Sequence, residues 1–222
     1  MKLSIIIPAL NEAGSIEQVL MSVRALVMPA EVIVVDGGSK DNTRDLAQPL
    51  ADLVIQSTRG RARQMNAGAA KATGEYLLFL HADTRLPTEA WTQLQSAFDQ
   101  DAHWGRFDVR ISGKPVMLIV VARLMNWRSR LTGIATGDQA MFVHRELFES
   151  LGGFPDQPLM EDIELSRRLL KHSRPYCLAG PVTTSGRRWE QRGVWSTIGL
   201  MWRLRYRYWR GESAEQLAKE YR

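Results

Sequence analysis

The chain has 222 residues, 45% of them hydrophobic and 24% charged, which is enough to bury one good core and ordinary for a globular fold. Its longest uninterrupted apolar run, VMLIVVA at 116–122, is far short of the ~20 residues that span a bilayer, and Cys177 stands alone, so a transmembrane helix and an intrachain disulfide are excluded. The net charge of +5 is concentrated: residues 187–222 hold nine Lys and Arg against four acids, while residues 1–186 are balanced.

At the N-terminus the apolar stretch is broken at Pro8 and Asn11-Glu12, too early for a signal peptide. LSIII (3–7), EVIVV (31–35), LVI (53–55) and EYLLFL (75–80) read as strands, apolar on both faces as in a parallel sheet covered by helices. Helical patterns lie between them. Ser15 caps the first, Asp41 or Asn42 the second, residues 62–72 form a third, and Pro87 opens a fourth that runs to about Gln100. The expectation is an α/β fold, an open and mostly parallel sheet with helices on both faces.

Ligands of such sheets bind outside the carboxyl ends of the strands. Those ends carry Pro8-Ala9-Leu10-Asn11-Glu12, then DGGSKD at 36–41, then His81-Ala82-Asp83. Neither a Walker A loop nor a GxGxxG follows a strand, so the usual phosphate cradles are missing. Carboxylates at Glu12, Asp36 and Asp83 would repel a polyphosphate unless a divalent cation lay between, and Mn²⁺ or Mg²⁺ accepts carboxylate and phosphate oxygens together.

PALNE, VVDGGSKDNT, HAD and GGF…MED, in this order, resemble the family 2 glycosyltransferases of the GT-A fold, in a subgroup with His-Ala-Asp in place of Asp-x-Asp. The resemblance spans roughly residues 3–180 and implies a GT-A-like domain over 1–180. Residues 181–222 are then a basic, aromatic-rich helical extension. By the same resemblance Pro8, Ala9, Glu12, Asp36, Arg61, His81, Ala82 and Asp83 line the nucleotide pocket, and Asp83, with or without His81, holds the metal. Gly37 replaces the second acid of the usual Asp-Asp-Gly-Ser, which leaves the nucleotide open. Asp162, with Glu161 beside it, matches the catalytic acid pair, Asp162 as general base.

Plainer readings stand next to these. His81 can cap a strand end, Asp36 to Ser39 can be a tight turn, and Glu161-Asp162 can serve the first turn of a helix. Asp108, Asp138, Arg187 and Trp189 are weaker candidates for the sugar or acceptor side.

Trp195, Trp202 and Trp209 recur every seven residues and fall within about 40° on a helix at 100° per residue, with Tyr206 among them. Leu200, Met201, Leu204 and Tyr208 take the opposite side. Such a helix packs on the core, forms a homodimer contact or rests on a membrane surface. No nucleic-acid module is recognisable.

The function expected is a metal-assisted, inverting glycosyltransferase moving sugar from a nucleoside-diphosphate sugar to a hydroxyl acceptor. It would be cytoplasmic, free or peripheral at the inner face of the membrane. The alternatives are a non-catalytic sugar-nucleotide-binding or membrane-associated scaffold and a sugar nucleotidyltransferase.

Overall fold

LSIIIPA has no ionisable side chain, and all seven of its residues are buried in the first strand, β1 (Leu3–Ala9), the centre of one half of the sheet. The computed structural model describes residues 2–221. From β1 the chain continues through α1 (Ile16–Arg24), β2 (Ala30–Asp36), α2 (Thr43–Ala47), β3 (Leu53–Gln56), α3 (Arg61–Ala69) and β4 (Tyr76–Phe79). β1 pairs in parallel with β2 and β4, and β2 in parallel with β3, as the apolar runs predict.

After β4 the pattern changes. β5 (Thr84–Arg85), α4 (Ala90–Phe98), β6 (Trp104–Ser112), α5 (Met117–Thr132) and a 3₁₀ turn (Gly137–Gln139) lead to β7 (Met141–His144). Then follow α6 (Arg145–Ser150), α7 (Glu161–Leu169), β8 (Tyr176–Ser185), α8 (Arg187–Arg192), α9 (Val194–Trp209) and α10 (Ala214–Tyr221). The strand order is β3-β2-β1-β4-β7-β6-β8-β5, with β7 antiparallel to β4 and β6 and β5 antiparallel to β8. The fold is the expected α/β arrangement, a sheet of mostly parallel strands covered by helices on both faces, with a helical C-terminal extension.

Side chains two apart share a face, and the two cores show it. Ile5, Ile7, Val32 and Val34 join Ile16, Leu20, Leu94 and Phe98 of α1 and α4 on one side. Ile6, Ile33 and Val35 join Met65, Phe148 and Leu165 of α3, α6 and α7 on the other. Both faces are therefore covered, each fully buried large apolar side chain contributing about 1.5–3 kcal/mol.

Two expectations shift. Pro87 does not open α4: residues 87–89 form a turn in which the Ala90 N–H donates to the Pro87 carbonyl at 3.0 Å, and the helix starts three residues later. β8 runs through position 180, so the helical part of the extension begins at Arg187. In α9, Leu204 is fully buried against Leu159, Met160 and Ile163, with Leu200 and Tyr208 beside it.

Candidate active site

The loops that leave β1 and β2 are sewn to each other by short polar side chains. The Asn11 N–H donates to Ser39 Oγ at 2.9 Å, the Lys40 N–H to Asn11 Oδ1 at 2.9 Å, and the Glu12 N–H to Thr43 Oγ1 at 2.8 Å. Asp36 is fully buried, and its carboxylate accepts the Gly38 and Ser39 N–H groups at 3.0 and 3.1 Å, so it builds the turn that carries its own motif. The side chains of Ala9 and Ala82 pack in the apolar core, leaving their backbones at the sheet edge.

Gln64 is a residue the sequence did not announce. Buried under the loops, its Nε2 donates to the Ala9 and Val35 carbonyls, each at 2.8 Å, and so clamps the ends of β1 and β2 together. A Cβ on Gly37 would stand 3.0 Å from Gln64 Cδ and Oε1. The missing second acid is thus the space taken by the Gln64 amide.

His81 leaves β4 and turns to the 3₁₀ turn. Its Nδ1 lies 3.5 Å from Asp138 Oδ1, and a Cβ on Gly137 would come within 2.5 Å of its Nε2, so only glycine lets the ring lie there. Burial raises the Asp138 pKa, but the hydrogen bond and charge of His81, with Arg61 and Arg188 near, bring it below the ordinary value. The Gly137 N–H donates to Asp162 Oδ2 and the Ile163 N–H to Asp162 Oδ1, both at 2.8 Å. Asp162 is therefore held by both oxygens at the start of α7, where the helix dipole favours a carboxylate.

Burial nevertheless pushes the Asp162 pKa up, and the Asp138 carboxylate adds to the rise against those hydrogen bonds and Arg61. Glu161, buried next to it, is raised by burial and then by the charge of Asp162. One pocket is lined by Arg61, Met65, Phe79, His81, Gly137, Met141, Phe154, Glu161 and Asp162. Four expected residues from three separate motifs, Arg61, His81, Glu161 and Asp162, thus meet in it. Its Phe154 wall is fixed from α3: Asn66 Nδ2 donates to the Phe154 carbonyl at 2.8 Å and Asn66 Oδ1 accepts the Phe154 N–H at 2.9 Å.

The arginines sort by position. Arg63 forms a surface pair with Asp156 at 2.7 Å, whereas Arg61 faces the pocket. Arg187 Nη2 lies 3.3 Å from Glu12 Oε2 and so links the extension to the β1 loop. Arg188 is close enough to Asp83 and Asp138 to feel both charges; burial first, then Arg61 and Arg192, lower its pKa. Trp189, by contrast, packs in an apolar cluster with Leu118 and Val121 of α5. Asp108 is gripped by the fully buried Arg106 and by Arg130 at 2.6 Å. Of the weaker candidates, Asp138 lies against His81 and Arg187 against Glu12, whereas Asp108 is held in ion pairs and Trp189 in an apolar cluster.

The sequence profile of glycosyl transferase family 2 matches residues 4–151, more than half of the chain. The chain belongs to glycosyl transferase family 2. Among relatives of this family 2 chain, a probable glycosyltransferase, YdaM of Bacillus subtilis, is 29% identical over 95% of this chain and 55% of its own length. The crystal structure of Staphylococcus aureus TarS residues 1–349 with UDP-GlcNAc superimposes with a TM-score of 0.68 at 21% identity, covering 83% of this chain and 58% of that one. That is a likeness of fold. The mannosyltransferase PcManGT of Pyrobaculum calidifontis, in complex with GDP-Man and Mn²⁺, gives 0.61 at 27% identity, covering 82% of this chain and 56% of that one. The chain spans about half the length of the curated relatives it matches.

Among the described residues of the family 2 chain, no three His, Cys, Asp or Glu side chains converge as a ready-made metal cage. Mg²⁺ and Mn²⁺ do not require one. They take one or two carboxylates and complete their shell with phosphate oxygens and water. Asp83 fits that need, being half-buried at the sheet edge with a 3.4 Å hydrogen bond from Thr84 Oγ1, while His81 is engaged with Asp138.

Proposed function

We propose that this chain, one of the family 2 members with His-Ala-Asp in place of Asp-x-Asp, is an inverting glycosyltransferase. It would move a sugar from a nucleoside-diphosphate sugar to a hydroxyl acceptor. The observation that carries this is Asp162, held by two backbone N–H groups, raised in pKa by burial, and set in one pocket with Arg61 and His81. Such a carboxylate can take the proton of an acceptor hydroxyl. The acceptor oxygen then forms its bond to the anomeric carbon from the side opposite the diphosphate, whose bond to that carbon breaks with the electron pair leaving on oxygen. A positioned base of this kind contributes about 10²–10⁴-fold.

Pro8, Ala9, Glu12, Asp36 and Ala82 form the donor edge, with Asp36 acting through the turn it builds. Arg61 and Arg188 offer guanidinium groups to the phosphates. A divalent cation at Asp83, Mn²⁺ or Mg²⁺, would when bound stabilise charge on the diphosphate leaving group. His81 orients Asp138, which is placed to meet sugar or acceptor hydroxyls. Residues 1–180 form the catalytic domain, and residues 181–222 the extension that brings Arg187 and Arg188 to its edge. The bound UDP-GlcNAc of TarS and GDP-Man with Mn²⁺ of PcManGT support a donor of this class.

Calorimetry with a panel of nucleoside diphosphates, each with Mn²⁺, with Mg²⁺ and with chelator, tests the reading. Binding of one diphosphate that needs the cation, and that Asp83→Ala abolishes, is the expected result. Binding that ignores both the cation and Asp83→Ala would overturn the metal assignment. Absence of binding under every condition would overturn the donor site.

A further inference from the structure

Two helices of the same length, α5 and α9, turn apolar faces to solvent. Val116, at the cap of α5, and Val120, Leu124, Trp127 and Leu131 along it follow one another at intervals of three or four residues, one stripe, and all are exposed. Trp127 is 63% exposed. On α9, Trp195, Trp202 and Trp209 are 73, 75 and 69% exposed, with Tyr206 among them. Core packing is therefore not what these side chains do. The opposite faces of both helices supply it: Leu118, Val121 and Ala122 of α5 pack with Val194 and Ile198 at the start of α9, and Leu204 of α9 packs against Met160 and Ile163.

Charge identifies what covers the bare stripes. Neither helix contains an acidic residue, and, apart from Arg128, whose Nε and Nη2 are buried, they carry Arg123, Arg130, Arg203, Arg205 and Arg207, with Arg210 just beyond. Arg130, Arg203 and Arg207 are paired with acids of other segments, whereas Arg123, Arg205 and Arg210 form no ion pair among the described residues. A second copy would set the unpaired Arg123, Arg205 and Arg210 against two helices that carry no acid of their own, while Asp108, Glu212 and Glu220 are already engaged with Arg130, Arg203 and Arg207. An anionic bilayer offers the opposite charge and a headgroup layer in which Trp and Tyr rings are favoured. At 16 residues each helix is about 24 Å long, and no helix among the described residues is long and apolar enough to cross a membrane, so they can lie on a bilayer and not through it.

We infer that α5 and α9 together form a docking platform for the surface of an anionic phospholipid bilayer. The inference does not depend on the glycosyl-transfer reading. It differs from a single amphipathic tail in that α5, inside the segment that matches the family profile, supplies half of the platform.

Flotation of the full chain on vesicles tests it, comparing phosphatidylcholine alone with phosphatidylcholine mixed with phosphatidylglycerol, at low and high salt. The expected partition onto anionic vesicles is at least about tenfold greater and falls with salt. Arg123→Ala and Arg210→Ala should each lower it about fivefold, and joint replacement of Trp127, Trp202 and Trp209 by Ser at least about tenfold. All five side chains are exposed, so circular dichroism should be unchanged. Quenching of wild-type tryptophan fluorescence by brominated anionic lipid gives the same answer without any variant. Equal flotation on both vesicle types, or absence of quenching, would overturn the inference. So would a dimer in sedimentation that ignores vesicles and that the Trp replacements convert to monomer, which would give the surface to a second copy.

Discussion

Asn66→Ala should destabilise the fold by about 3 kcal/mol although Asn66 touches no reacting group. Its carboxamide is paired at 2.8 and 2.9 Å with both polar groups of Phe154, 88 positions away in the sequence. Two ordinary hydrogen bonds contribute about 1 kcal/mol each, and removing the acceptor leaves the N–H of a 3% exposed residue without a partner, a further ~1 kcal/mol or more. For a chain of this size each kcal/mol lowers Tm by about 2–4 °C, so the loss is about 6–12 °C by differential scanning calorimetry. Asn66→Asp separates hydrogen bonding from size. One carboxylate oxygen still accepts the Phe154 N–H, but the other faces the Phe154 carbonyl, so this nearly isosteric change should cost at least as much as the alanine. An aspartate variant as stable as wild type, or an alanine variant within about 1 kcal/mol of it, would refute the argument that this pair fixes the pocket wall.

The raised Asp162 pKa fixes the sign of the pH dependence. A base works deprotonated, so kcat should fall as pH drops through a pKa above the ordinary 3.8, and Asp162→Asn should lose about 10²–10⁴-fold in kcat together with that acid limb while donor Kd holds; an unaltered limb in the variant would move the base elsewhere. A denaturant double-mutant cycle on Gly37→Ala and Gln64→Ala should be non-additive by at least about 0.5 kcal/mol, because the alanine Cβ harms the fold only by displacing the Gln64 amide; additive losses would mean that the two residues do not share the space.

The four strands of the N-terminal half were legible because each is short, continuously apolar and ended by turn residues. β6 was not, since WGRFDVRIS carries Arg106 and Asp108 within it. Arg106 is buried only because Asp108, Ser129 Oγ and the Asn126 carbonyl receive its N–H groups, and two of those partners lie on a helix 20 or more positions further on. The three polar strand ends were placed at one edge of the sheet by a rule of topology, and the pocket with Arg61, His81, Glu161 and Asp162 lies among the described residues there. The long-range contacts that hold the site lay beyond pattern reading: Gly137 reaches Asp162 across 25 positions, and Gln64 reaches Ala9 across 55. Trp189 was a weak candidate for the acceptor side, but on α8 consecutive side chains point apart, and Trp189 packs in the apolar cluster while Arg188 lies near the carboxylates.

The extension does more for the site than add charge. Met160 sits just before Glu161 with φ +65°, a left-handed conformation that costs a non-glycine residue about 1–2 kcal/mol. Such strain persists only where the surroundings hold it, and here Met160 and Ile163, on either side of the acid pair, are buried against Leu204 of α9 and Leu217 of α10. The same α10 ends at Tyr221, whose ring lies 4.1 Å from the Arg188 guanidinium and whose carbonyl accepts Arg192 Nη1 at 3.1 Å. Through Leu217 it thus braces the segment of the proposed base, and through Tyr221 it steadies an arginine near Asp83. The inner faces of α9 and α10 are therefore spent on the pocket, which is why the Trp stripe of α9, on the face left over, remains open to solvent.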